Sequence, residues 1–243
     1  MAVRRTRRGV AAALSAGLIG LVAVGCSGGG PSAAEAVAAA PAGNADVLGT
    51  LPAAVEGTKI VVGAAKAPHT VTVYVDPRCG YCARFEASAG TVLADEAAAG
   101  TVRVEYVVAS FLDARTGGSA SARAANALRA AVDAGPGRFA AYQAALFASQ
   151  PAGESADGYA VDRLLRIADQ VEGLRGPAFD RAVRDDAHRV WVADAEKAFE
   201  ESGVGGTPTV LVDGTALPGG DALYDATQFA RALRDAGVGR ALP

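Results

Sequence analysis

At 243 residues, 51% of them hydrophobic and only 6% aromatic, the chain can bury one sizeable core resting on Val, Leu and a few Phe and Tyr. A net charge of −3 gives no cationic excess with which to grip phosphates, so nucleic-acid binding is not expected.

The first 25 residues carry four arginines, then an uncharged apolar stretch from Gly9 to Gly25. A basic start before a short apolar run reads as a secretory signal, and the run is short for a span of about 20 residues. Removal of residues 1–25 takes four positive charges from −3 and leaves −7. "VAVGC" resembles a bacterial lipobox, which implies lipid attachment at Cys26, although Ala23 stands where leucine is commonest. An uncleaved anchor helix, or an ordinary signal with an incidental cysteine, are the alternatives. Residues 26–56 are rich in Gly, Ala, Ser and Pro and read as a flexible tether, with an Ala-rich helix at 33–40 as the alternative for part of it.

The domain is expected over residues 57–243. "TKIVVG" predicts a short strand. "HTVTVYVD" predicts another, ending at Asp76–Pro77, with Val71, Val73 and Val75 alternating. "CARFEASAGTVLADEAAAG" predicts one helix with Phe85, Ala89, Val92 and Leu93 on a face and Gly100 at its C-terminal cap. "TVRVEYVVASF" predicts a strand parallel to the previous one, closing a βαβ unit. An insertion over about 117–202 is helical throughout. There "PAFDRAVRDDAHRVWVADAEKAFEESG" is one stretch in which Phe179, Val183, Val190, Trp191 and Phe199 recur at helical spacing. "TPTVLVDGTALPG" predicts a hairpin turning at Asp213–Gly214, and a last amphipathic helix is expected at about 225–236.

Cys79 and Cys82 flank Gly80 and Tyr81 at the predicted helix start, where Gly80 and Tyr81 are expected to shape the active-site loop and the exposed Tyr81 ring to reach substrate. Unpaired amides at a helix N-terminus stabilise a thiolate, and Arg78 is expected to add positive charge. Cys79 is then the attacking thiol and Cys82, pointing inward, the resolving one. A staple is a poor explanation, because so short a loop restrains little of the unfolded chain. Half a zinc site would need His69 and His188, neither with ligand-like spacing, so no metal is expected; two inert buried thiols are the other alternative. His188 reads as a surface residue and Trp191 as core, while Glu86 and Glu105 could bias the thiols if buried beside them.

With "DPRCGYCARFE", "GVGGTPTVLVDGTALPG" and a helical block between them, residues 58–236 resemble a thioredoxin-fold protein of the DsbA/DsbC/DsbG type. The resemblance implies an α/β fold, a central mixed sheet flanked by helices, with an α-helical insertion of the DsbA type. It implies a cis bond before Pro208, with Thr207 and Pro208 beside the disulfide and offering backbone groups to substrate. It implies thiol–disulfide exchange through Cys79–Cys82 with no other cofactor, exported protein thiols as substrates, and a membrane electron partner that resets the pair. The expected form is a monomeric lipoprotein on the outer face of the cell membrane, acting as an oxidase. C-G-Y-C favours the alternative of a DsbC/DsbG-like isomerase or reductase. A non-catalytic peptide-binding lipoprotein and a metal chaperone are the readings from other classes.

Overall fold

A computed structural model describes residues 45–151, 153 and 158–239. The signal segment 1–25, Cys26 and most of the expected tether lie outside the described residues. No described helix is long and apolar enough to cross a membrane.

Six strands form one mixed sheet: β1 (Ala53–Glu56), β2 (Lys59–Val62), β3 (His69–Val75), β4 (Val102–Val108), β5 (Thr209–Val212) and β6 (Thr215–Ala216), in the order β1-β2-β4-β3-β5-β6. Only the central pair, β3 and β4, is parallel, in a register that sets Val71 beside Val104, Val73 beside Tyr106 and Val75 beside Val108. Those six side chains share one buried face. The other face is divided. Thr72, Arg103, Glu105 and Lys59 occupy one end, with Glu105 bonded to Lys59 and Arg103. Tyr74 and Val107 occupy the other.

The expected tether ends earlier than composition suggests. A short helix, α1 (Ala45–Leu48), precedes Leu51, which is buried, and residues 53–56 are β1, paired antiparallel with β2. Backbone contacts fix this segment: the amide of Gly137 donates to Leu51 O at 2.8 Å. A Cβ on Gly137 would stand 2.1 Å from Gly49 O, so only glycine admits the approach.

The helix expected after the cysteines is two, α2 (Gly80–Glu86) and α3 (Ala89–Ala98). Ser88 breaks it: its hydroxyl donates back to Arg84 O at 3.0 Å, a bond that bends helices. Phe85 still reaches the core and meets Phe229 edge-on, centroids 5.7 Å apart, a geometry that adds about 0.5–1.5 kcal/mol beyond burial.

The helical insertion starts earlier than the expected 117: β4 ends at Val108 and α4 (Phe111–Thr116) follows, then α5 (Ala120–Asp133), α6 (Arg138–Ala148), α7 (Val161–Ala168), α8 (Pro177–Arg184) and α9 (Arg189–Glu201). The long expected helix divides into α8 and α9 at Asp186, whose φ of 51° is left-handed. Asn126 on α5, fully buried, holds the break. It donates to Ala182 O at 3.1 Å and accepts from the His188 amide at 2.8 Å. The new phase turns Val190 out to solvent, contrary to its expected core position, and places Trp191 half-buried with Nε1 donating to Gly57 O. Phe199 of α9 covers Tyr74 and stacks on Phe111.

Asp213 (φ 48°) and Gly214 (φ 80°) form the two-residue hairpin turn between β5 and β6. A 3-10 turn, Asp221–Tyr224, leads into α10 (Ala226–Asp235), capped by Asp225, which accepts from the Gln228 amide at 2.8 Å.

Candidate active site

β3 ends at Val75, and Asp76 turns the chain. Its fully buried carboxylate accepts from the Arg78 amide (2.9 Å), the Ser121 hydroxyl (2.7 Å) and the Leu112 amide (3.1 Å). Burial pushes its pKa up to about 7 against those three donors. Asp76 therefore ties the loop before the cysteines to α4 and α5. Gln150, just past α6, closes the other side by donating to Pro77 O (2.8 Å) and Cys79 O (3.0 Å).

So held, Cys79 is the N-cap of α2, and Cys82 lies one turn on, with no exposed surface. Both are thiols in this structure. The Thr207–Pro208 bond is cis, and Cys79 Sγ donates to Thr207 O at 3.3 Å. The structure thus brings Cys79, Cys82, Gly80, Tyr81, Thr207 and Pro208 together, 128 positions of chain separating Cys79 from Thr207.

The Cys79 pKa falls from 9.0 to about 6. The largest cause is a hydrogen bond from the Cys82 thiol, then, against burial, the Thr207 side chain and the amides of Cys82 and Tyr81. Cys82 moves the other way, well above 9, through burial first, then the bond to Cys79 and its charge. One sulfur is poised as an anion and its neighbour keeps its proton.

Thr207 Oγ1 is buried and makes no hydrogen bond of good geometry in this dithiol state. When Cys79 ionises, the sulfur no longer donates to Thr207 O, and the hydroxyl can rotate to donate to the anion. A hydrogen bond to a charged group contributes about 1.5–3 kcal/mol. Thr207→Val is therefore expected to raise the Cys79 midpoint by about one pH unit, followed by thiolate absorbance against pH. An unchanged midpoint would show the hydroxyl to be idle.

Arg78 does not supply the charge expected of it. Its guanidinium turns away to Asp113 (2.9 Å), Gly117 O (3.1 Å) and Thr116. Glu105 belongs to the Lys59–Arg103 cluster on the sheet. His69 pairs with Asp213 at 2.8 Å and His188 faces Asp133 at 3.4 Å, both away from the cysteines. Among the described residues, no group of three or more His, Cys, Asp or Glu could hold a metal ion.

Beside the expected Tyr81 stand Tyr224, Arg84 and Gln150, side chains the sequence did not single out. Tyr81 is 58% exposed, its ring 5.8 Å from that of Tyr224. Arg84 lies over both, 4.5 Å from the Tyr224 centroid and 5.7 Å from that of Tyr81. Tyr224 precedes the Asp225 cap, so its sequence signal is that of a helix staple. Gln150 falls in an unpatterned loop and gives no signal. Behind α2, a cavity of about 330 Å³ is walled by Leu93, Phe139 and Phe147. Glu86 enters it, accepting from Gln143 Nε2 at 2.9 Å, and burial raises its pKa to about 8.

The family model described as Thioredoxin matches residues 55–233. The fold is similar to that of reduced DsbA from Mycobacterium tuberculosis, at 23% identity and a TM-score of 0.61, covering 74% of this chain and 93% of that one. BdbD from Bacillus subtilis in its oxidised form aligns at 18% identity and a TM-score of 0.61, covering 77% of this chain and 97% of that one. A thioredoxin-like oxidoreductase from Silicibacter pomeroyi DSS-3 shares 26% identity with a TM-score of 0.55, covering 74% and 93%. No curated protein matches the chain.

Proposed function

The chain belongs to the thioredoxin family, and from that premise we propose that it is a thiol–disulfide oxidoreductase of the DsbA type, working as an oxidase on exported protein thiols. The observation that carries this reading is the opposed ionisation of the two sulfurs, Cys79 down to about 6 and Cys82 well above 9, at the head of α2 beside Thr207–Pro208.

In the oxidised protein Cys79 and Cys82 share a disulfide. A substrate thiolate attacks Cys79 Sγ, because Cys82 has no exposed surface. The S–S bond breaks, a substrate–Cys79 bond forms, and Cys82 leaves as a thiolate that takes up a proton. The second substrate thiolate then attacks the substrate sulfur and expels Cys79. The substrate leaves with its own disulfide, and two electrons stay on the pair. A leaving thiol of low pKa departs faster, and a stabilised Cys79 thiolate favours the reduced protein, which makes the oxidised form an oxidant. Each turnover leaves two thiols, so an electron acceptor must restore the disulfide. The cysteine pair is itself the redox group. The basic and apolar leader and Cys26 support export and a lipid anchor on the outer face of the membrane, where a membrane acceptor is in reach.

The test is equilibrium of the purified protein against glutathione buffers, together with oxidation of a dithiol peptide. An oxidase is expected to equilibrate well above the thioredoxin potential of about −270 mV and to oxidise the peptide stoichiometrically. A potential near that of thioredoxin would overturn the oxidative direction. C-G-Y-C supports a second reading, disulfide isomerisation, which predicts that scrambled ribonuclease regains activity with little net dithiol oxidation.

A further inference from the structure

Arg84 lies five positions beyond Cys79 on the exposed side of α2, about 7–8 Å along the axis at the helical rise of 1.5 Å per residue. Its guanidinium carbon lies over the Tyr224 ring, 4.5 Å from the centroid, and 5.7 Å from that of Tyr81. Stacking of this kind fixes the plane and leaves the edge N–H groups free to meet a planar anion with two parallel hydrogen bonds. Among the described residues no carboxylate comes within ion-pair distance of Arg84. The carboxyl of Glu86, two positions on, is engaged by Gln143 Nε2 at 2.9 Å. The cation also borders an open depression lined by Gly80, Tyr81 and Gln150, beside the reactive sulfur. Tyr224 stands close enough to the cysteines for their negative charge to raise its own pKa, after burial.

We propose that Arg84, held over the rings of Tyr81 and Tyr224, determines specificity by selecting polypeptide cysteines that have an aspartate or glutamate about two residues away. An extended chain advances about 3.3 Å per residue, so two residues from a cysteine bonded to Cys79 span about 7 Å, comparable with the axial separation of Cys79 and Arg84 along α2. This rests on the exchange chemistry proposed above and names the class of substrate it serves.

The experiment uses the oxidised protein and three cysteine peptides identical except for Glu, Gln or Lys two residues from the cysteine, with the rate of mixed-disulfide formation as readout. The Glu peptide is expected to react about threefold to tenfold faster than the Lys peptide at low salt, the ratio falling as salt screens the pair. Arg84→Glu inverts the order, Arg84→Met brings the ratio to one, and Arg84→Lys keeps a reduced preference. A ratio of one in the unaltered protein, or a ratio unmoved by Arg84→Glu, overturns the proposal. Dithiothreitol, which carries no charge, separates the two readings. If the unaltered oxidised protein fails to oxidise it, the exchange reading itself falls; if it oxidises it while the peptide ratio is one, only the role of Arg84 falls.

Discussion

Cys79→Ser is expected to lower dithiol oxidation by about 10³-fold or more, to the background of the assay, because a serine hydroxyl cannot form or accept a disulfide and Cys82 is shielded from substrate. Cys82→Ser behaves differently. Its Cys79 still exchanges with a substrate disulfide, but no second thiol resolves the product, so a stable mixed disulfide accumulates, visible by mass under non-reducing conditions. Accumulation of the mixed disulfide in Cys79→Ser, or its absence in Cys82→Ser, would contradict the division of labour. The ionisation of Cys79 also leaves a mark on stability. Its pKa is lower in the folded dithiol protein than in the unfolded chain, so the contribution is fully present above pH 9 and is lost as pH falls through about 6. At pH 7 it amounts to about 1 kcal/mol and it grows toward pH 9, above which Cys82, still protonated in the fold but ionised in the unfolded chain, offsets it. Denaturant titrations of the reduced protein and of Cys79→Ser isolate it: the difference between their unfolding free energies should grow from pH 6 to pH 9.

Glu86→Gln is expected to stabilise the protein at alkaline pH, an effect of opposite sign. The Glu86 pKa is raised by burial from 4.5 to about 8, so the folded state favours the neutral acid. Relative to the unfolded chain the folded state therefore loses stability as pH rises from about 4.5, with nothing further lost above about 8. The ceiling is about 3 kcal/mol at pH 7 and about 5 kcal/mol above pH 8. Glu86 faces a cavity and is only half-buried, so about 2–3 kcal/mol at pH 8 is the expected gain. Glutamine keeps an oxygen for Gln143 Nε2, which isolates the charge from the hydrogen bond. Urea unfolding of both proteins at pH 5 and pH 8 measures it. The curves should nearly coincide at the lower pH and separate at the higher; equal midpoints at pH 8 would mean the carboxyl ionises freely in the fold.

The chemistry of this site was largely written in local sequence. C-G-Y-C after a strand, and Thr-Pro before a hairpin, place the two sulfurs and their partner loop because each depends on neighbours a few residues away. What escaped depends on distant packing. Arg78 reads as a charge beside a thiol, yet Asp113 and Thr116 draw it away, and nothing near position 78 announces them. Residues 53–56 look like linker because their composition is poor. They are a strand because β2 offers an edge and Gly137 lets the preceding backbone approach. The break at Asp186 is hidden by continuous helical periodicity, and is held by an asparagine on another helix. Arg84 and Tyr224 are far apart along the chain, and Gln150 carries no periodic signal at all.

β3 and β5 are neighbours in the sheet, yet the whole helical insertion must be traversed between them. Contacts across such long stretches form slowly, because closing the loop costs entropy before the contact repays it. A folding chain can therefore assemble the head of α2 before the loop that carries Thr207 arrives. In that interval the first sulfur lacks the hydroxyl that holds its charge, so an immature molecule is a feebler electron acceptor than a finished one. Chemical competence is acquired last, with the strand that completes the sheet.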